Sequence, residues 1–294
     1  MKTIDLKDIS AADTQQYLHH AIAPRPICFA STIDKQGNVN LSPFSFFNVF
    51  SIDPPIIVFS PSRRIRDNTT KHTLQNIQEV PEVVVNIVTY DMVQQASLAS
   101  CEYPRGIDEF VKSGFTKEPS LFVKPPRVKE SPVQLECKVL EVKALGTKGG
   151  AGNLVIAEII LMHINETILN EQGKIDQKKL GLVGRMGGNW YTRANASTIF
   201  EVEKPNIILG IGVDALPHSI RNSEILTGNN LGQLGNAHEL PLVDPAFYDD
   251  KLKNIFQYYS INPEEMEKEL HRYAKELLDN GKVTAAWQVL LALN

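Results

Sequence analysis

The sequence predicts a mainly β protein, an antiparallel barrel of six or so strands followed by a helical C-terminal extension. Three observations carry this. Segments rich in β-branched and aromatic residues fill the first two thirds of the 294-residue chain. Few helical patterns separate them, which disfavours the strand–helix alternation of a parallel α/β sheet. From about Phe200 the chain turns loop-rich, and after Asp244 helical periodicity takes over. The expected division is therefore 1–199 and 200–294.

The elements follow in order. "PICFASTID" runs into the turn signal Lys35-Gln36-Gly37-Asn38, and "VNLSPFSFFNVF" returns from it as the second strand of a hairpin. "PPIIVFS" is short and apolar, as a strand buried on both faces would be. "TKHTLQNIQEV" and "TYDMVQQASLAS" carry apolar residues near helical spacing and predict two short helices. "EVVVNIVTY", "VQLECKVLEVKAL" and "NLVIAEIILMHINETIL" supply further strands, the last two separated by the glycine-rich "TKGGAGN". In the extension, Tyr248, Leu252, Ile255 and Phe256 recur at helical spacing. A longer helix begins at Asn262-Pro263, with acidic residues in its first turn, and stops at Asn280-Gly281; "KVTAAWQVLLALN" adds a last one.

Composition excludes several function classes. A net charge of −4 offers no field for polyphosphate, so nucleic acid is not an expected partner. No run approaches the ~20 apolar residues of a membrane span, and the N-terminus lacks a signal-peptide pattern. Cys28, Cys101 and Cys137 have neither disulfide parity nor metal-ligand spacing, so we expect free thiols in a cytoplasmic protein and no metal site.

Two neighbouring segments could carry chemistry. "NLSPFSFFNVF" interleaves aromatic rings with serines and asparagines, offering stacking area and hydrogen bonds to a flat heteroaromatic ring. The plainer reading is a barrel core with polar residues turned to water. Downstream, "SPSRRIRDNTTKHT" gathers Arg63, Arg64, Arg66 and Lys71 among hydroxyls just before a helix start. Cations and free backbone amides at a helix N-terminus suit a phosphate, although a solvated basic turn has the same composition. No Walker or dinucleotide fingerprint is present. A ring site and a phosphate site joined by one strand match flavin mononucleotide (FMN). Haem fits poorly, because no histidine lies in the aromatic stretch.

The motifs "APRPICFAST", "NVNLSPFSFFNVFSIDPPIIVFS", "KHTLQNI", "RGIDEF", "PPRVKESPVQLEC" and "GRMGGNWY", in this order, resemble the flavin reductase-like, FMN-binding split-barrel family. The resemblance covers roughly Ala21 to Asn195. It implies a six-stranded antiparallel split β-barrel that forms a homodimer, with FMN near the subunit interface. By position, Asn40, Leu41, Ser42, Pro43, Phe44, Ser45 and Phe46 would contact the ring and ribityl chain. Ser60, Ser62, Arg63, Thr69, Lys71 and Thr73 would surround the phosphate. Arg25 and Tyr191 are further cofactor-binding candidates, and His163 is a weak catalytic one. Two positions depart from the family's pattern: His72 stands where many relatives have aspartate, and Glu109 where some have lysine.

The resemblance implies an oxidoreductase in which FMN takes electrons from NAD(P)H and passes them to a second small-molecule acceptor. The flavin carries the chemistry, which agrees with the lack of a paired-carboxylate or Cys–His constellation. A non-enzymatic flavin carrier or redox sensor is the alternative, prompted by the absent nicotinamide fingerprint and the long extension.

Overall fold

The computed structural model describes residues 1–202 and 209–293. Of the loop-rich stretch expected from about Phe200 to Asp244, residues 203–208 lie outside the described residues, and the rest is interrupted by short helices at His218–Arg221 and Gly228–Gly235. The chain divides into two compact units, Met1–Phe200 and Glu201–Asn294.

The first unit is built on seven strands, β1 (Cys28–Ile33), β2 (Val39–Phe44), β3 (Phe47–Ile52), β4 (Pro55–Phe59), β5 (Glu82–Ile87), β6 (Val133–Ala144) and β7 (Asn153–Ile164). They form one antiparallel sheet in the order β2-β1-β5-β6-β7-β4-β3. The expected six-stranded barrel is corrected to an open, seven-stranded sheet. The seventh strand arises because "VNLSPFSFFNVF" is two strands, broken at Ser45 and Phe46, that lie on opposite edges of the sheet.

That break shapes the sheet. Seven strands spaced ~4.8 Å apart would put the edges ~29 Å apart if flat. Three virtual Cα bonds from Phe44 to Phe47 reach at most ~11 Å. The sheet therefore curls until its edges approach, which produces a split barrel.

Both faces of the central strands are covered. Cys28, Ala30, Val83, Val85, Leu135, Cys137, Val155 and Ala157 pack inside the curl with Phe44, Ile57 and Phe59. Phe29 and Leu41 face the other way, into a second cluster with Met92, Phe110, Phe115 and Val128. Double coverage explains the unbroken burial of residues 28–32 on β1 and 83–86 on β5, polar Ser31, Thr32 and Asn86 included. β4 differs from expectation: only Ile57 and Phe59 are buried, while Ile56 and Val58 are half-buried.

Short helices decorate this unit, among them α1 (Ala11–Ala21), α2 (His72–Glu79), α3 (Val93–Leu98) and α4 (Glu109–Ser113). Ser10 caps α1 by accepting the Asp13 amide, and Asp108 caps α4 by accepting that of Phe110. Arg25–Pro26, Val183–Arg185 and Tyr191–Arg193 form a separate three-stranded sheet.

The second unit is helical, with α5 (Gly228–Gly235), α6 (Asp250–Tyr258), α7 (Pro263–Asp279) and α8 (Val283–Leu291). Asn262 caps α7 through the Glu265 amide, with Pro263 at the first helical position. Asp249 caps α6 through Leu252 N and also accepts the Tyr273 hydroxyl at 2.5 Å. Leu234, Leu252, Ile255, Leu270, Ala274, Leu278 and Trp287 form its core. Among the described residues, no helix is long and apolar enough to cross a membrane.

One buried carboxylate ties a loop to the sheet. Glu136 on β6 is fully buried and accepts the amides of Leu121 (2.8 Å) and Phe122 (2.7 Å), with His163 Nε2 at 2.8 Å. Burial alone would push this carboxyl up, but the bonds from Leu121, His163 and Phe122 outweigh it and hold it below the ordinary glutamate value of 4.5. A depressed folded-state value means stability that is present above pH 4.5 and lost as pH falls through the folded value. Glu136→Gln should therefore cost about 1.5–3 kcal/mol at neutral pH. In denaturant unfolding of both proteins, the difference should shrink as pH is lowered below 4.5.

Candidate functional site

The bend between β4 and α2 is fastened to the β6–β7 hairpin. Arg63 N donates to Ala151 O (2.8 Å), Gly150 N to Arg63 O (2.9 Å) and Asn68 Nδ2 to Thr147 O (3.1 Å). The approach is close enough to require glycine at 149, where a Cβ would meet the Arg64 and Ile65 carbonyl oxygens at 2.9 Å.

Several hydroxyls and cations expected to face a phosphate are occupied in building this bend. Ser60 Oγ accepts Asn153 N at 3.1 Å. Arg63 clamps Asn68 through two bonds of 2.7 Å, to the side-chain and main-chain oxygens. Thr69 donates its hydroxyl to Asp67 Oδ1 (2.6 Å) and accepts Arg64 Nη1 (2.8 Å). Arg64 also reaches Glu102 Oε1 at 2.9 Å and Thr70 O at 3.0 Å.

Other donors stay available. Ser62 Oγ is buried with no partner among the described residues. Lys71 stands at the N-cap of α2 without a side-chain cap bond; Leu74 N donates to Lys71 O (3.1 Å), and the His72 and Thr73 amides keep their donor capacity. Among the described residues Lys71 pairs with no carboxylate; its ammonium lies 5.7 Å from the centre of the Phe44 ring. Burial, with Arg64 close by, pulls its affinity for the proton below that of an ordinary lysine. Burial and the cations Arg64, Arg105 and Lys71 likewise lower that of His72.

The edge strand β2 faces this helix start. Thr73 Oγ1 donates to Asn40 Oδ1 (2.7 Å), Asn40 Nδ2 donates to Glu109 Oε1 (2.8 Å), and Leu41 N donates to Glu109 Oε2 (3.1 Å). Burial raises the Glu109 carboxyl above its ordinary value, against the pull of Leu41 N and Asn40. Asn40, Ser42, Arg64, Lys71, Thr73 and Glu109 line one hollow of about 20 Å³. That is room for a water or part of an oxyanion; a larger ligand would extend beyond it.

The remaining candidates lie elsewhere. Leu41 is buried in the outer cluster. Pro43 is half-buried opposite Phe29, and Phe44 packs on Phe59 with ring centres 5.3 Å apart. Ser45 lies within 3.5 Å of Arg25 Nε, and Phe46, 43% exposed, meets the His19 ring edge-on. Arg25 is buried and clasps three carbonyl oxygens, of His19 and Ile22 (both 2.7 Å) and of Met186 (3.0 Å). Tyr191 lines a different hollow, and His163 is held by Glu136. Sequence reasoning missed Glu109 as an anchor and read it only as a lost cation. The available signal was its place beside the buried Phe110, on a helix capped by Asp108.

Comparison with known proteins identifies the family and the fold. The flavin reductase like domain model matches residues 20–179. An uncharacterised protein of Halalkalibacterium halodurans is 35% identical over 201 residues, 68% of this chain and 94% of that one. Another, of Aquifex aeolicus, is 38% identical over 173 residues, 59% of this chain and 86% of its own. The crystal structure of nitrilotriacetate monooxygenase component B from Bacillus cereus superposes with a TM-score of 0.64 at 27% identity, covering 69% of this chain and 98% of that one. The matched segment holds β1 to β7, the hollow at the start of α2 and Glu109, and on it the chain belongs to the flavin reductase-like family of split-barrel, FMN-binding proteins.

Proposed function

We propose that the barrel unit binds FMN and moves electrons from NAD(P)H through it to a second acceptor. The observation that carries this reading is the hollow where β2 meets the start of α2. There Ser42, Arg64, Lys71, His72 and Thr73 line one space with Glu102 and Glu109. Glu102 is paired to Arg64, Glu109 is bonded by Asn40 and Leu41 N, and Lys71 is paired to no carboxylate among the described residues. The buried, unpartnered Ser62 hydroxyl at the bend supports the same fit, since it needs an acceptor or donor that the protein does not provide. Bound FMN would supply hydride acceptance and onward electron transfer.

The chain's own residues then have distinct tasks. Lys71 and the α2 amides would hold the phosphate by charge and helix dipole. Thr73 gives its proton to Asn40, so toward a ligand it would act as an acceptor unless that bond is exchanged. Glu109 fixes the Asn40 amide and the β2 backbone, so that the wall of the site is preorganised. The flat ring would extend from the small hollow along the strand toward Ser45 and Phe46.

The reading includes a homodimer. β3 is an edge strand with Val49, Phe50 and Ile52 52%, 68% and 80% exposed, and a second copy would cover that apolar edge. It also includes a reducing compartment, since Cys28, Cys101 and Cys137 are all free. The helical unit keeps a second reading open, a flavin-binding carrier or sensor, and one experiment separates the two.

Mixing the purified protein anaerobically with FMN and NADH, or NADPH, should bleach the flavin's visible absorbance catalytically. Tight binding without bleaching would instead favour the carrier, and no FMN binding would overturn both. Lys71→Ala should weaken FMN by a charged hydrogen bond, about 1.5–3 kcal/mol or roughly ten- to hundredfold. Fluorescence titration checks this.

A further inference from the structure

A larger hollow, of about 370 Å³, opens beside the three-stranded sheet. Val93 and Val183 supply apolar lining, and Tyr90, Arg185, Tyr191 and Arg193 line it as well. Arg185 and Arg193 come from neighbouring strands, paired Arg185 with Tyr191 and Val183 with Arg193. Tyr90 is fastened to the chain just ahead of that sheet, its amide donating to Gly181 O at 2.9 Å.

Each guanidinium lies over a tyrosine ring, Arg193 at 3.8 Å from the centre of Tyr90 and Arg185 at 4.5 Å from that of Tyr191. Stacking fixes the plane of a guanidinium and leaves its N–H groups pointing outward from the edge. Those groups are largely unused. Among the described residues, Arg193 makes no side-chain hydrogen bond and Arg185 makes one, to Trp190 O at 3.1 Å. Neither meets a carboxylate, whereas Arg64, Arg66, Arg105, Arg127 and Arg272 all do.

The lining contains no aspartate or glutamate. The positive field extends beyond it: Arg185 is among the groups that disfavour protonation of Arg25 and His19. Two cations facing one hollow repel each other, and that cost is relieved by a bound anion. In a protein whose net charge is −4, an uncompensated pair of this kind is a local feature. The size suits a small ligand with one ring or a few, at the lower end of ligand pockets.

We propose that this hollow is a second ligand site, taking a planar organic molecule that carries a carboxylate or phosphate. The oxyanion sits at the edges of Arg185 and Arg193, and the flat apolar body lies on Val93 and Val183 between the two tyrosines. The site is separate from the β2–α2 hollow and does not depend on the flavin reading.

Calorimetric titration of the full chain, with and without excess FMN, tests it. The probes are benzoate and adenosine 2′-phosphate, representing the two sources of oxyanion, with benzamide and adenosine as their neutral counterparts. At least one anion should bind, at least about tenfold tighter than its neutral counterpart, and which one binds identifies the source. Arg193→Gln should weaken that anion about ten- to hundredfold, as expected for a lost charged hydrogen bond. Arg193→Lys, which keeps the charge, should recover part of the loss. The proposal is overturned if neither anion binds at millimolar concentration in either state. It is equally overturned if anion and neutral counterpart bind alike, or if Arg193→Gln binds the anion as tightly as the parent.

Discussion

Two residues, Ser45 and Phe46, carry the chain from one edge of a seven-stranded sheet to the other. A link of at most ~11 Å cannot join edges that a flat sheet would hold ~29 Å apart, so the sheet has to curl. Curling encloses the cluster around Phe44, Phe59, Val85 and Cys137, and leaves Phe29 and Leu41 on the convex side for α4 and the following loops to cover. The edge left unpaired on β2 is the one that faces α2. A candidate site at that edge is thus a consequence of how the barrel fails to close.

Within that site, the hydrogen bonds run in one direction. Thr73 donates to Asn40, and Asn40 donates to Glu109, which also takes the Leu41 amide. Burial of Glu109 is tolerable because both oxygens are engaged. The chain fixes the wall but uses up donors, so the groups left for an anion are Lys71, Ser42 and the start of α2. The bend upstream follows the same rule: Arg63, Ser60 and Thr69 shape the loop, and Ser62 is left with an unanswered hydroxyl.

Much of this was legible in the amino-acid sequence where the signal is local. The turn at Gly37 and the start of α7 at Asn262-Pro263 are set by residues within a few positions of each other. The break at Ser45-Phe46 was not, because the residues on both sides are equally β-prone and only the sheet order separates them. Composition likewise placed hydroxyls and cations near α2 but could not say which were committed. Ser60 is occupied by Asn153 on β7 and Arg64 by Glu102 beyond α3, partners that only the fold brings close. The sites assigned to Arg25 and Tyr191 rested on position in a motif. In the structure Arg25 clasps carbonyl oxygens and Tyr191 stacks on Arg185, away from the β2–α2 hollow.

The claim that a phosphorylated ligand is seated where β2 meets α2 is tested most directly by the ratio of dissociation constants for riboflavin and FMN on the unaltered protein. The two ligands differ only in the phosphate, so the ratio isolates the contribution of the hollow between β2 and α2. With Lys71 and the α2 amides engaged, the phosphate should add one or two charged hydrogen bonds, and FMN should bind at least about tenfold tighter than riboflavin. Equal affinities would contradict the account.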